Sequence, residues 1–368
     1  MANTERGASL LTLLQQLPTS GARAVEVFTN DEGTFLGVPQ LARDVAGEAP
    51  YMNGGDSDID APIYRWQDGR FVEHDALPVH GGEDLAYFEI TGRQFLATAG
   101  IRTGKGPYEL DCDAILYERA AGKWVAFQHF PVFAAKQWFA FSLDGRHFLA
   151  LAQGVVIEGV EPKNPRTSCI FEWNGERFIP FQTLDGPWGY NFAFVSFGTE
   201  HFLAYADHVG GSPVYRWNGE QFETLQLFDE SGGRAFRFFE ANGMLWMLHA
   251  NLLHHTTLYR FEGGRFVAVQ TLGEAGGREL CLIDGERGFY LVRACFITGT
   301  PKAPVVVPQS EIFEWREDRF ELVETFATSA ATDARTFTID AQRYLAVSNS
   351  LSAEIRFRTD SAVYRFNG

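Results

Sequence analysis

Methionine is scarce in this chain, with 4 among 368 residues, and cysteine is equally so at 4. Cys112, Cys169, Cys281 and Cys295 form no C-x-x-C pair and have no zinc-site spacing, so they read as small hydrophobes inside strands. Positive charge is in deficit, 31 Lys and Arg against 47 Asp and Glu, for a net charge of −16. That balance argues against nucleic acid, which rewards clustered cations. It fits a protein that stays dispersed in solution. Long apolar runs are missing, so nothing reads as a membrane span. The opening "MANTERGASLLTLLQQLPTSG" has no basic stretch leading into an apolar core and a small-residue cleavage site, and it reads as the start of a mature cytoplasmic protein. The chain also lacks a P-loop, G-x-S-x-G, a G-x-G-x-x-G before a helix, and H-E-x-x-H.

What is abundant is phenylalanine, 33 residues, beside Val, Tyr and Trp, a composition suited to half-buried strands. These residues recur in one pattern: aromatic-x-aromatic, a turn, then Phe or Trp. It begins at Ile63 ("IYRWQDGRF"), Leu116, Ile170 ("IFEWNGERF"), Val214 ("VYRWNGEQF"), Leu258, Ile312 and Val363, with spacings of 53, 54, 44, 44, 54 and 51. A second signature lies between the copies: "FLATAG" at Phe95, "FLALAQ" at Phe148, "FLAYAD" at Phe202 and "YLAVSN" at Tyr344, with looser versions at Phe35, Trp246 and Tyr290. Each unit is two hairpins with tight Asn-Gly or Asp-Gly turns, hence four strands, the content of a propeller blade. The last unit stops at Gly368 after its third strand, and the segment from Ser9 to Gln16 resembles the tail of the other units. The expected fold is all-β: a seven-bladed β-propeller of four-stranded blades, its ring closed by the N-terminal strand completing blade 7. The blades fall at about 20–77, 82–130, 135–184, 188–228, 233–272, 277–326, and 331–368 with 9–16.

"GGEDLAYFEITGRQFLATA" with "IYRWQDGRF" resembles the epitempin, or epilepsy-associated (EPTP/EAR), repeat, and the likeness recurs along nearly the whole chain. The resemblance implies a seven-bladed propeller that binds other proteins. It also implies a calcium ion in the central channel, held by Asp at the start of innermost strands. That Asp column lands on Ala24, Asp84, Gln137, Tyr190, Ala235, Glu279 and Asp333, so Asp84, Asp333 and Glu279 are the metal candidates. Without a secretion signal or a leucine-rich partner domain, the chain looks like a free-standing, microbial-type relative.

The loops between second and third strands, long in blades 1, 2, 3, 6 and 7 and short in blades 4 and 5 ("DHVGGS", "NLLHHT"), share one face with the channel mouth. Loops on a rigid scaffold carry binding and catalysis. Around the mouth stand Arg23, Glu83, Lys136, Arg234, Arg278 and Arg335, with Trp138, Trp188 and Tyr190 as aromatic neighbours. Arginine forks suit carboxylates or phosphates. In blades 4 to 6, Tyr205, Asp207, His208, His249, His254, His255 and Arg293 offer an acid–base or metal-binding group. Asp56, Asp58 and Asp60 have D-x-D-x-D spacing without the Gly and Glu of an EF-hand loop. Two functions follow. One is a binding propeller holding a protein or a small polar ligand at the loop-rich face and channel mouth. The other is a cofactor-independent lyase, cyclase or isomerase using the His, Asp, Tyr and Arg set. A deep pocket with converging His, Tyr and Arg favours the enzyme, and a broad face with exposed aromatics over a plugged channel favours a protein partner.

Overall fold

The computed structural model describes residues 9–286 and 288–368, so the leader reading over residues 1–8 lies outside the described residues. Among the described residues the chain folds into seven four-stranded antiparallel sheets, with one extra hairpin, Ile297–Thr300 and Ala303–Val306, in the loop of blade 6. No helix there is long and apolar enough to cross a membrane. The inner strands are Glu26–Asn30, Gly82–Ile90, Ala135–Leu143, Gly189–Phe197, Gly233–Ala241, Gly277–Asp284 and Ala331–Ile339.

Between inner and second strands, Thr91-Gly92, Asp144-Gly145 and Asn242-Gly243 place both turn residues at positive φ, as a two-residue hairpin turn requires. The Asn-Gly pairs of "FEWNGERF" and "YRWNGEQF" behave differently. Trp173 pairs with Phe178 and Trp217 with Phe222, so these loops are four residues wide, not two. The Asn174 and Asn218 Oδ1 atoms each accept two N–H groups across the loop, from Glu176 and Arg177 and from Glu220 and Gln221. An Asn side chain that mimics the missing backbone partner makes the wider loop stable.

The ring is closed by its own beginning. Leu11–Leu17 lies antiparallel to Ser361–Phe366 as the outer strand of blade 7, with Leu11 opposite Phe366 and Leu17 opposite Ser361. The core lies between blades. Phe28 stacks on Phe35 of its own blade at 5.3 Å and on Tyr87 of the next at 4.8 Å, and Phe95, Phe148, Phe202 and Trp246 are at most 1% exposed. Such sheets cannot cover both faces alone, so each blade hides its neighbour's aromatics.

A second device ties the outer rim, and the repeat pattern gave no warning of it. A glutamine in the outer strand of one blade both donates to and accepts from the backbone of one Phe in the next. Gln15 does so with Phe71, Gln128 with Phe178, Gln182 with Phe222, Gln226 with Phe266 and Gln270 with Phe320, at 2.7–3.0 Å. At the joint of blades 6 and 7, Glu324 takes this place and accepts from the Leu10 N–H at 2.7 Å and from the Ser9 hydroxyl. The N-terminal strand is thus held on both sides.

Candidate functional site at the channel mouth

Six inner strands begin with a register irregularity. It falls between Gly82 and Asp84, Ala135 and Gln137, Gly189 and Asn191, Gly233 and Ala235, Gly277 and Glu279, and Ala331 and Asp333. A bulge leaves one residue unpaired and re-aims its side chain. The residues so displaced are Glu83, Lys136, Tyr190, Arg234, Arg278 and Thr332, and Arg23 precedes the matching strand of blade 1. The channel mouth is therefore built from repeated bulges.

Arg23, Lys136 and Arg234 are 5–6% exposed. Glu83 faces three cations at once: Arg23 at 3.5 Å, Lys136 at 3.8 Å and Arg278 at 3.4 Å. Tyr190 presents its ring to Arg234 at 3.9 Å, Lys136 at 5.4 Å and Arg278 at 5.6 Å. Burial pushes the Arg23 and Arg234 guanidinium groups down to about 10 and lowers the Lys136 ammonium. Burial alone would raise the Glu83 carboxyl and the Tyr190 phenol, but the surrounding cations outweigh it and hold both below their ordinary values. Trp188 stacks beside Tyr190 at 6.5 Å, and His208 meets both rings edge-on. The cavity here is about 40 Å³, room for a few waters or one small ion, and Asp84, Glu279, Asp333 and Arg335 line it together with the mouth residues.

Beneath this layer the sign of charge reverses. Burial raises the carboxyls of Asp84 and Glu279, and raises that of Glu26 to about 7. Arg335 sits among Asp333, Glu279, Glu26 and Asp84, and although burial opposes its charge, these four carboxylates together raise its pKa. Arg237 ion-pairs with Glu279 at 3.0 Å. The column holding Asp84 and Asp333 joins blades. Asp84 accepts from the Trp138 N–H, Gln137 from Phe192, Asn191 from Phe236 and Asp333 from Val25, at 2.8–3.0 Å. Register gives Asn191, not Tyr190, as the blade 4 member: it stands two residues after Gly189 and opposite Ala206, as Asp84 stands two after Gly82 and opposite Ala99. No group of three or more His, Cys, Asp or Glu among the described residues is arranged to hold a metal ion. Calcium does not fit at Asp84, Glu279 and Asp333, since the cation among them is Arg335.

The acid–base candidates do not converge. Tyr205 is fully buried, bonded to Ser168 of blade 3 at 2.9 Å, and its hydroxyl occupies the space that a Cβ on Gly189 would need, 2.3 Å away. Asp207 is equally buried and accepts from the backbone of Trp188, Val209 and Gly210, which shapes the short loop. Arg293 is 1% exposed and binds Glu311 at 2.7 Å, Thr256 at 2.8 Å and the Glu274 carbonyl. His249 lies flat on Phe236 at 4.1 Å, between blades, with Nε2 unpartnered. His254 and His255 are exposed on the outer face of their loop, where the His255 ring bonds the Gly273 carbonyl. Tyr205, His249 and Arg293 share one column because a glycine of the inner strand faces each of them. Such a wall holds blades together and offers no base beside a substrate.

Burial drives His249 down from 6.5 to about 3. A histidine that resists its proton when folded stabilises the fold above pH 6.5 and loses that contribution as pH falls toward 3. His249→Phe keeps the stack and removes the proton site. We expect it to gain about 2 kcal/mol over wild type at pH 5, with little gain at pH 8. Identical stability–pH curves for the two proteins would refute the assignment.

Other expected site residues lie elsewhere. Trp138 is 2% exposed in the core between Phe130 and Phe171, its indole donating to the Thr98 carbonyl at 2.9 Å, so it does not reach the mouth. Asp56 is forked by Arg43 at 2.7 and 2.9 Å, and Asp58 accepts from Gly104 N–H, so the D-x-D-x-D stretch forms no metal cluster. A larger hollow of about 340 Å³ lies between Pro18, Asp60, Tyr64 and Glu73, and none of the mouth residues lines it. Above the mouth, the long loops interlock into an apolar cap. Leu41, Met52, Leu252, Phe296, Leu351 and Phe357 pack together, and Phe296 lies against the Arg23 and Arg278 guanidinium groups at 5.6 and 5.0 Å.

The family model of the EPTP domain matches residues 177–218 and 319–367, in each case the outer strand of one blade and the first three strands of the next, blades 3 and 4 and blades 6 and 7. Two stretches of this seven-bladed propeller therefore match the EPTP repeat. The human "Thrombospondin-type laminin G domain and EAR repeat-containing protein" is 29% identical over 154 residues, and its mouse counterpart is 29% identical over 156. Each match covers 41% of this chain and 22% of the relative. The chain thus matches about a fifth of those relatives' length.

Proposed function

We propose that this propeller is a binding module that holds a protein partner on its loop-rich face. The observation that carries the reading is apolar exposure on that face. Tyr51, Val156, Ile157, Val209, Leu253 and Val305, from the second-to-third loops of blades 1, 3, 4, 5 and 6, are 45–60% exposed. Exposed apolar side chains on the loops of one face suit an interaction surface. The interlocked cap beneath them supplies rigidity, so little ordering cost opposes docking. A 40 Å³ channel, by contrast, has no room for a sizeable organic substrate. Four unpaired cysteines among the described residues suit the reducing cytoplasm, where we place the protein.

The test compares wild type with Val209→Asp/Leu253→Asp/Val305→Asp in cross-linking and quantitative mass spectrometry, beside native mass spectra with and without EDTA. The expected result is a defined protein captured by wild type, at least tenfold depleted with the variant, at equal melting temperature. Capture that is unchanged by the three substitutions, or a tightly held organic molecule as the only companion of wild type, would overturn the proposal.

A further inference from the structure

We propose that the channel mouth binds an oxyanion, a carboxylate or phosphate group, held by Arg234, Arg23, Arg278 and Lys136 beside the ring of Tyr190. The site lies inside the ring and does not depend on a partner at the loop face.

The argument begins with charge. In the mouth layer four cations share one carboxylate, Glu83, and the distances of 3.4–3.8 Å spread that single anion over three of them. Arg234 has no carboxylate within 4.0 Å among the described residues, and its one hydrogen bond runs from Nη1 to the Gly233 carbonyl at 3.2 Å. Buried charge without a partner is costly, and a well-placed counter-charge offsets that cost.

Donors point the same way. The Nε atoms of Arg234 and Arg23 are buried without a hydrogen-bond acceptor, although both side chains line the 40 Å³ cavity. Arg23 Nε stands 3.5 Å from Glu83, close enough for attraction and too poorly aligned for a bond. A guanidinium carries five N–H donors in a planar fork, the geometry that carboxylate and phosphate oxygens match. Tyr190 pins the Arg234 fork from its face at 3.9 Å, which leaves the donor edge free. Two further buried polar atoms without partners, Trp188 Nε1 and His208 Nδ1, belong to the rings that pack on Tyr190. These rings come from the side of the face where the loops of blades 4 and 5 are short. The cap, formed by loops of blades 1, 6 and 7 with Leu252, covers the opposite side.

The deeper layer does not neutralise this excess. Asp333 Oδ2 is 3.8 Å from Arg335, Glu279 is paired with Arg237, and Asp84 accepts from the backbone of Trp138. Those carboxylates line the same cavity but are engaged by these partners, and the Arg23 and Arg234 Nε atoms remain without acceptors.

The experiment titrates the full chain with inorganic phosphate and, separately, with malonate at constant ionic strength, read by calorimetry and by melting temperature. Saturable one-to-one binding of either anion is expected. Arg234→Gln and Arg278→Gln should each weaken it about tenfold or more, the usual loss for a charge-assisted bond. Arg343→Gln, at the half-buried start of the second strand of blade 7 and outside the cavity lining, should leave it unchanged. Phosphate alone assigns a phosphate site, malonate alone a carboxylate site, and both an oxyanion site of either source. If neither anion produces a saturable signal in either readout, or if both mouth variants bind as wild type does, the proposal falls.

Discussion

Removal of residues 1–18 lowers the melting temperature by about 10 °C or more. Leu11 and Leu17 are 8% and 2% exposed, and burying a leucine contributes about 1.5–3 kcal/mol. The deletion also removes Gln15, which clasps Phe71, and the backbone that Glu324 grips. Together these losses come to about 5 kcal/mol, and a domain of this size loses about 2 °C per kcal/mol. Thermal melts of the full and truncated chains decide the matter. An unchanged midpoint would show that blade 7 does not need its outer strand, against the pairing of Leu11–Leu17 with Ser361–Phe366.

Arg335→Met destabilises the propeller by about 3 kcal/mol at pH 8 and by far less at pH 5. The substitution leaves Glu26, Asp84, Glu279 and Asp333 without the cation that sits among them. Glu26, whose carboxyl burial raises to about 7, is already mostly protonated at pH 5. Asp84 and Glu279 move in the same direction. A carboxyl raised in the folded state takes up protons on folding, so its contribution is greatest at low pH and fades as pH rises through the folded value. The variant should therefore approach wild type as the pH drops, and melting curves at pH 5 and pH 8 measure the difference. Equal losses at both pH values would mean that Arg335 acts through packing alone.

The architecture was legible because its signals are periodic. Alternation fixes strands, the repeat spacing fixes blades, and a unit that stops after three strands at Gly368 calls for a fourth from Ser9 onward. Side-chain direction was less legible. In "GYNF" an aromatic precedes the polar residue, and only the strand pairing shows that Asn191, not Tyr190, holds the column position while Tyr190 is the bulged residue aimed into the mouth. Neighbouring blades brought Tyr205, His249 and Arg293 together as a list but not as a site, since each fills the gap opposite a glycine. That signal, "GY", "GR" and "GR" at the starts of three inner strands, was present in the sequence and is read only once the strands are paired. The rim glutamines were readable too, two residues before the last apolar residue of each outer strand in "FQTL", "LQLF" and "VQTL". A polar residue on an exposed strand gives no hint that it grips the neighbouring backbone.

The rim clasp also has a gap. At the joint of blades 1 and 2 the equivalent residue is Asp75, whose Oδ1 turns back to the Ala76 N–H at 2.8 Å. At the rim that joint has instead an Arg119–Glu32 ion pair at 2.5 Å, a Glu26 carboxylate on the Tyr87 N–H, and the Phe28–Tyr87 stack. On the loop face Arg102 and Tyr108 bind the blade 1 backbone at Asn53, Gly54 and Gly55. Salt weakens an ion pair that faces solvent, whereas amide clasps carry no charge to screen. Added salt therefore turns an evenly sewn ring into one with a weak seam. Amide hydrogens along Arg70–Leu77 and Lys123–Phe133 are expected to be the rim amides whose exchange quickens most as salt is added.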